Sequence, residues 1–325
     1  MTVIDKSIIS LCFISTFVKL QEQHDSNARS LTVAIVDKDK SEVKCGGILI
    51  RPSYVVTAGH CVKKDNSSAY VVVYNTSTFA LTENYYNSIP VKAISFRGTI
   101  GISCEDKDIA LLKLDGMTAH DEFPILSKDN KDLKDAFLNK WSDDKTANDT
   151  IYRLETIPIE IYGAEVCRKA NEKKKHIYRN ICGAPTNGSL IPGNSGSPLL
   201  IQMQEGLVMI GILYCKINGV INATYPAAFV RISQHYKWIE EQIASTEENE
   251  NQLVQSSKNQ KEDTILSTHT TARLYVVYFV YLLMGWIILV LTYLVTTVYH
   301  GIRSRQQERN MNMDIELEDL NIEHS

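Results

Sequence analysis

Three short sequence motifs contain the side chains best suited to covalent chemistry. His60 lies in TAGHC (57–61), Asp108 opens DIALL (108–112), and Ser195 lies in GNSGSP (193–198). Serine is a poor nucleophile at neutral pH, so it needs an imidazole to accept its proton and a carboxylate to orient that imidazole. Histidine, aspartate and serine in this chain order are one arrangement that performs acyl transfer. The motifs therefore predict a catalytic group made of His60, Asp108 and Ser195.

Short strand-like runs would have to position these residues. Between residues 30 and 244, apolar and β-branched segments recur at short intervals and are separated by turns. They cover 31–36, 47–50, 54–57, 70–74, 91–96, 109–114, 206–213 and 227–232. Such a pattern predicts an all-β barrel or sandwich. A helix is predicted over 233–244, with Ser233 as its N-cap, because apolar residues recur there at helical spacing.

These motifs, together with CGGILI (45–50) and YKWI (236–239), resemble the trypsin/chymotrypsin-like serine proteases. The resemblance covers roughly 30–244, and several blocks occur in the family's order. It implies an all-β fold of two six-stranded antiparallel β-barrels, with the active site in the cleft between them. It also implies a serine endopeptidase that acts on polypeptide substrates, with no cofactor or metal.

The resemblance gives each catalytic residue a role. His60 matches the general base, Asp108 the carboxylate that orients it, and Ser195 the nucleophile. The backbone N–H groups of Gly193 and Ser195 match the oxyanion hole, which stabilises charge on the attacked carbonyl oxygen.

Cysteine usage fits a chain that forms disulfides. Seven cysteines are present, and six of them lie after the N-terminal apolar stretch, an even number that suits disulfides. A zinc site is a weak interpretation, because no Cys-x-x-Cys pair is present. The resemblance implies two bridges, Cys45–Cys61 around the histidine loop and Cys167–Cys182 in the second barrel. The family bridge before the serine is missing, because Ile191 occupies its position. We predict a Cys104–Cys215 bridge instead, because the segments that carry these residues are neighbours in this fold.

The activation motif of the family is absent. Members usually begin with Ile-Val-Gly-Gly after cleavage, and the new ammonium pairs with an aspartate before the serine. Here that position is Asn194, and the segment after Arg29, the natural place for a cut, does not contain the motif. A buried aspartate without its partner would be an unpaired charge, which asparagine avoids. Two outcomes stay open, a site that forms without cleavage and a site that does not form.

The substrate pocket also departs from the family. Alignment of GILYCK (211–216) with the substrate strand places Tyr214, Cys215 and Lys216 where serine, tryptophan and glycine are usual. Ser189 falls at the pocket floor in place of aspartate, so a preference for Arg or Lys is not expected. Ala227, at a usual glycine, would narrow the pocket. Lys216 could favour acidic or polar substrates, or it could point to solvent.

Two apolar segments predict a secretory route and a membrane anchor. Residues 1–22 resemble a signal peptide with an uncharged core at 7–18, although a buried core strand is the alternative. The uncharged run 274–299 is about long enough to cross a bilayer with some tilt. Residues 245–270 form a polar stalk, and 300–325 form a short tail.

Charges beside the apolar run predict its orientation. Arginines 303, 305 and 309 follow it, whereas Arg273 stands alone before it. The positive-inside rule then places the tail in the cytoplasm and the preceding domain outside or in the lumen, a type I single-pass protein. Five sequons agree with this route, and they are at Asn66, Asn75, Asn148, Asn187 and Asn222.

Charge and composition exclude one further class of partner. The net charge is −4 and no long basic stripe is present, so binding to nucleic acid is not expected. The expected partners are a polypeptide substrate, a lipid bilayer and, as an open possibility, a protein inhibitor. The alternative function is that of a catalytically inactive protease homologue that acts as a membrane-tethered binding protein. A structural adhesion module has only the fold class in its support.

Overall fold

The computed structural model describes residues 26–63, 65–81, 87–97, 107–129, 135–145, 149–170, 180–187, 190, 193–215 and 226–322. The chain divides into two units after Thr246. The first unit contains the strands, and the second is part of one long helix.

Six strands from the first half of the chain close an antiparallel barrel. The first seven strands are β1 (Thr32–Asp37), β2 (Glu42–Arg51), β3 (Tyr54–Thr57), β4 (Tyr70–Val73), β5 (Thr78–Ala80), β6 (Ser88–Arg97) and β7 (Ile109–Leu114). The barrel has the order β1-β2-β3-β7-β6-β4, and β4 pairs with β1 to close it. The sequences TVAIVD, YVVT and YVVV of β1, β3 and β4 are rich in β-branched residues, which favour strands. All residues of these three strands are buried.

The second half of the chain forms another six-stranded antiparallel barrel. Its six strands are β9 (Ala136–Lys145), β10 (Thr150–Tyr162), β11 (Ile181–Pro185), β12 (Pro198–Met203), β13 (Gly206–Cys215) and β14 (Ala227–Arg231), and the short strand β8 (Ile125–Leu126) precedes them. The order β11-β14-β13-β12-β9-β10 is closed by pairing of β10 with β11. Strand β8 pairs in parallel with β13, and β5 extends the sheet by pairing with β10. The two barrels confirm the predicted fold class.

Buried polar contacts join the two barrels. Asn139 of β9 donates from Nδ2 to Thr32 Oγ1 of β1 at 3.0 Å, and its Oδ1 accepts from Thr156 Oγ1 at 2.8 Å. Thr32 and Asn139 are fully buried. Because these groups satisfy one another, they hold the barrels together without an unpaired buried donor.

Three helices accompany the strands in the described chain: α1 (26–31), α2 (Ala164–Ala170) and α3 (Tyr236–Ile322). The predicted helix over 233–244 therefore begins later than expected. Ser233 lies in a 3-10 turn, Ile232–Gln234, so the prediction that it caps α3 is wrong. Ile239 and Ile243 of α3 are buried in the core of the first unit.

Beyond Thr246, α3 continues through the predicted stalk and the apolar run 274–299. It is the one helix in the described residues that is long and apolar enough to cross a membrane. All described side chains of this second unit from Asn251 onward are exposed, including the aromatic and aliphatic residues of the apolar run.

Candidate active site

Strand pairing brings the histidine and aspartate motifs together. Thr57, the last residue of β3, pairs with Ala110 of β7. His60 follows β3 in a 3-10 turn, Gly59–Cys61, and Asp108 directly precedes β7. The two residues therefore lie at the same end of neighbouring strands.

The Asp108 carboxylate holds His60 at two points. Its Oδ1 accepts the His60 backbone N–H at 2.7 Å, and its Oδ2 lies 2.6 Å from the imidazole Nδ1. The aspartate side chain is 4% exposed and the histidine side chain 22% exposed. An acceptor at Nδ1 favours the tautomer with a proton on Nδ1, which leaves Nε2 as the basic nitrogen.

A glycine is required beside this pair. A Cβ atom on Gly59 would lie 2.9 Å from Asp108 Oδ1 and 3.2 Å from the backbone nitrogen of Ile109. The second contact is with backbone, so a side chain here would push the aspartate away from the histidine.

Ser195 lies in a tight turn that leads into β12. The turn is docked on the first barrel, because the Ser195 carbonyl accepts the Gly46 N–H of β2 at 2.8 Å. Gly196 has φ +82°, and a Cβ there would collide with the Gly46 carbonyl and with Thr57 Oγ1. Ser195 is therefore held against the strands that carry the histidine loop, and it remains partly exposed.

Two features of this turn bear on nucleophilic attack. Within the described part of the chain, no hydrogen bond joins Ser195 to His60. Such catalytic hydrogen bonds are often long without substrate and shorten when substrate binds. The backbone N–H groups of Gly193 and Ser195 have no acceptor among the described residues. Gly193 adopts φ +93°, a conformation that favours glycine.

Asn194 anchors the turn from inside the protein. Its side chain is 1% exposed, and Nδ2 donates to the Trp141 carbonyl of β9 at 2.5 Å. The Phe79 ring of β5 packs edge-on against Trp141 at 5.2 Å and stacks on Tyr152 at 5.4 Å. A neutral amide therefore occupies the buried position that precedes the serine.

The bond after Arg29 lies in α1 and not in an extended segment. The Arg29 guanidinium donates to the Leu154 carbonyl at 2.8 Å and to Thr156 Oγ1 at 3.3 Å. Ala28 and Leu31 on either side are fully buried. In this conformation, the bond is not presented to another protease.

Both family disulfides are formed. Cys45–Cys61 joins β2 to the histidine turn with a Cα separation of 6.0 Å, and Cys167–Cys182 joins α2 to β11 at 5.6 Å. These pairings confirm the two predicted bridges. In the described residues, the one cluster of potential metal ligands is His60 with Cys45 and Cys61, but both sulfur atoms are in the disulfide and are not thiolates.

The structure describes only part of the predicted substrate pocket. Tyr214 is 1% exposed, and its hydroxyl accepts from Asn180 Nδ2 at 2.8 Å, so contact with a substrate would be through its backbone. Ala227 is fully buried and pairs with Gly183. Three predictions concern residues outside the described set: Ser189, Lys216 and the Cys104–Cys215 bridge, of which the Cys215 backbone alone is described. Their roles stay predictions.

A cavity of about 800 Å³ borders Gly193 and is called here the β9–β10 cavity. Trp141 and Tyr152 line it, and the Trp141 indole N–H is buried without an acceptor among the described residues. Burial raises the pKa of the Tyr152 phenol, and the hydroxyl accepts the Val43 N–H at 3.5 Å. The sequence motifs did not indicate Trp141 or Asn180, since both reach the site from strands or segments far along the chain.

Comparison with protein-family models matches residues 20–239 to the family Trypsin. The chain belongs to the trypsin family. Trypsin-1 of Astacus astacus is 24% identical over 204 residues, which cover 60% of this chain and 86% of that protein. Trypsin Tyr p 3.0101 of Tyrophagus putrescentiae is 27% identical over 212 residues, covering 60% and 70%. The thrombin-like enzyme bilineobin of Agkistrodon bilineatus is 26% identical over 227 residues, covering 67% and 93%.

Proposed function

We propose that this chain is a membrane-anchored serine endopeptidase that hydrolyses peptide bonds through an acyl-enzyme. The single observation that carries the proposal is the two-point contact between Asp108 and His60. Membership of the trypsin family and the docking of the Ser195 turn on β2 support it.

The chemistry would proceed in two steps. His60 Nε2 accepts the Ser195 hydroxyl proton while Oγ attacks the substrate carbonyl carbon, and the oxyanion binds the N–H groups of Gly193 and Ser195. His60 then donates that proton to the leaving amine as the peptide C–N bond breaks. Water hydrolyses the resulting ester by the same proton path in reverse, which restores Ser195. The leaving segment would pass beside Gly193 into the β9–β10 cavity.

Activity without N-terminal cleavage is part of the proposal. The Asn194–Trp141 hydrogen bond would hold the Ser195 turn in the way that an ammonium–aspartate pair does in other members. The helical conformation of the Arg29 segment supports this, because a peptide bond within a helix is a poor substrate for a cleaving protease.

For location, we propose a type I arrangement with the protease domain outside the cell or in the lumen and α3 crossing the bilayer at 274–299. The apolar exposed surface of α3 and the arginines that follow it support this arrangement.

A second candidate is a catalytically inactive homologue that binds proteins. The missing Ser195–His60 hydrogen bond and the changed substrate strand GILYCK favour it.

A fluorophosphonate probe separates the two candidates. The full chain in detergent micelles is treated with the probe, and labelled protein is measured by gel fluorescence and peptide mapping. Labelling of Ser195 that disappears in Ser195→Ala and persists in the matched control Ser197→Ala supports the enzyme. Folded wild-type protein that stays unlabelled, with a normal thermal transition, supports the binding protein.

A further inference from the structure

A second concave surface lies on the protease domain, between the end of β6 and the start of α3. We call it the basic cleft. Its volume is about 550 Å³, and it is lined by the side chains of Arg97, Lys128, Tyr236, Lys237, Trp238 and Glu241, together with polar residues of the 3-10 turn. None of the catalytic residues lines it.

The cations of the basic cleft are not neutralised by described carboxylates. Arg97 donates weakly to the Gln234 carbonyl at 3.4 Å, and Lys128 Nζ lies 4.7 Å from the centre of the Tyr236 ring. Within the described residues, neither these two cations nor Lys237 has an ion-pair partner. Three cations face one acid, Glu241, on a chain whose net charge is −4.

The β9–β10 cavity has a different charge arrangement, which makes the contrast informative. Its Lys40 and Lys145 each lie 3.9 Å from a carboxylate, Glu42 and Asp143. Two of the three lysines that line that cavity are thus already paired, whereas none of the three cations of the basic cleft is paired with a described carboxylate. An unpaired cation can bind an added anion without first giving up a carboxylate partner, whereas a paired cation cannot.

The lining indicates the chemical class of the ligand. Arginine presents a planar fork to tetrahedral oxyanions, and lysines add point charges beside it. Tyr236 and Trp238 are half-buried, so each exposes part of an aromatic face next to the cations. We propose that the basic cleft binds a sulfated polysaccharide, with sulfate groups on the cations and sugar rings against the aromatic faces.

Concavity favours this ligand over a lipid surface. A bilayer is broad and flat, whereas a polysaccharide chain is narrow enough to enter a cleft of this volume. The aromatic faces favour it over a simple acidic peptide, whose carboxylates would use the cations alone. Bound in this way, the polysaccharide would hold the protease domain at a matrix or cell surface without touching the Ser195 turn.

The test uses the full chain in detergent micelles and a fluorescein-labelled, heparin-derived tetrasaccharide. Fluorescence anisotropy gives the dissociation constant at two ionic strengths for wild type, for Arg97→Gln/Lys237→Gln and for Lys40→Gln/Lys145→Gln. The third protein carries the same charge change on side chains that are 57% and 76% exposed elsewhere. We expect the cleft variant to bind about tenfold more weakly or worse, because charge-assisted hydrogen bonds are lost, and the control to stay within about twofold.

Trp238 supplies a second readout. Its fluorescence should change when unlabelled tetrasaccharide binds, and Trp238→Phe should remove that change while Ser195 labelling stays as in wild type. Equal weakening in both charge variants would overturn the proposal, since net charge alone would then control binding. Absence of binding at low salt, or tighter binding to anionic phosphatidylserine vesicles or a poly-glutamate peptide than to the tetrasaccharide, would also overturn it. Because Ser195 labelling is measured separately, these results do not depend on whether the chain is an enzyme.

Discussion

Both oxygens of Asp108 are committed to one residue, and this fixes what a substitution there would do. Oδ1 holds the backbone of the histidine turn, and Oδ2 holds the ring. The aspartate is therefore a positioning residue whose effect on Ser195 passes entirely through His60.

Asp108→Asn should keep the fold and remove most of the activity. The amide oxygen can still accept the His60 backbone N–H, but the NH₂ group then faces Nδ1. The imidazole must carry its proton on Nε2, where it cannot accept the Ser195 proton, so we expect a loss of about ten-thousandfold in the probe labelling rate. Asp115→Asn, on the exposed turn after β7, is the matched control and should label at the wild-type rate. Full labelling of Asp108→Asn would contradict the proposed mechanism.

Asn194→Asp tests whether the buried amide replaces the family's ion pair. The new carboxylate would replace the amide that donates to the Trp141 carbonyl, at a site 1% exposed. An uncompensated buried charge costs about 3–5 kcal/mol, so the thermal transition should fall and Ser195 labelling should decrease. Asn87→Asp is the matched control, because Asn87 is an exposed amide that also donates to a backbone carbonyl. It should lower the free energy of unfolding by less than about 0.5 kcal/mol. Faster labelling of Asn194→Asp would indicate that a free N-terminus activates the chain after all.

Among the elements, the turn between β11 and β12 depends on its contact with β2 and β3. Gly196 has φ +82° with backbone and side-chain oxygens crowded around the Cβ position. Gly206, the first residue of β13, has φ +130° with nothing within 4 Å of that position. The two glycines therefore share the unusual conformation but differ in the available space.

Gly196→Ala should displace the Ser195 turn, whereas Gly206→Ala should only add backbone strain of about 1–2 kcal/mol. We expect Gly196→Ala to lose Ser195 labelling and to lower the unfolding temperature more than Gly206→Ala does. Differential scanning fluorimetry and the probe assay measure the two effects. Equal effects of the two substitutions would show that the turn is not held by its contact with β2 and β3.

The β9–β10 hairpin contains a partly buried ion pair that depends on pH. Lys140 Nζ, with 5% of its side chain exposed, lies 2.7 Å from Glu155 Oε2, and Ser142 donates to Oε1 at 2.6 Å. The hydrogen bonds from Lys140 and then Ser142 lower the pKa of Glu155 below its usual range. Because the folded pKa is the lower one, the stabilisation is complete above the unfolded pKa of about 4.3 and is lost as the pH falls through the folded value.

Glu155→Gln should lower the free energy of unfolding by about 1 kcal/mol at neutral pH, a value discounted because Glu155 is nearly half exposed. The difference from wild type should shrink as the pH falls below about 4. Urea titrations at several pH values measure it. Glu165→Gln removes a largely exposed pair with Lys169 and should change the free energy of unfolding little. A constant difference across the pH series would contradict a charged contact.

Some elements could be predicted from local sequence and others could not. β1, β3, β4 and β7 are short apolar runs, so their pattern is visible in the sequence. β9 and β10 were not predicted, because charged outward residues and an internal proline interrupt AFLNKWSDDK and TIYRLETIPIEIY. These strands pair with each other at ten positions, and this cross-strand pairing is not visible in the pattern of either strand alone.

The candidate site could also be predicted only in part from local sequence. His60, Asp108 and Ser195 lie in compact motifs whose residue types are unusual enough to recognise. The partners that fix the geometry come from elsewhere: Trp141 binds Asn194 across 53 positions, and Asn180 binds Tyr214 across 34. A buried asparagine next to the serine does signal that an acceptor is needed, but no local pattern identifies which carbonyl supplies it.

For the molecule as a whole, the described part of α3 beyond Thr246 has no core to bury its apolar side chains. The apolar run 274–299 is exposed on all sides in the structure, and it is long and apolar enough to cross a hydrocarbon core, as the proposed membrane anchor requires. If the protease domain is outside or in the lumen, its surface sequons meet the glycosylation machinery. Three sequons are exposed in the described chain, at Asn66, Asn75 and Asn187.

Expression in a secretory host should therefore give a membrane-bound glycoprotein. We expect the full chain to resist carbonate extraction and to lose mass with an endoglycosidase, as measured by immunoblot. Ser68→Ala destroys the sequon of Asn66 and should remove one glycan, whereas Ser67→Ala keeps the sequon and should not. A chain that is membrane-bound but shows no endoglycosidase shift would place the protease domain in the cytoplasm, against the arginines that follow the apolar run. The cytoplasm is reducing, so the Cys45–Cys61 bridge would not persist there. The histidine turn would then lose its covalent link to β2.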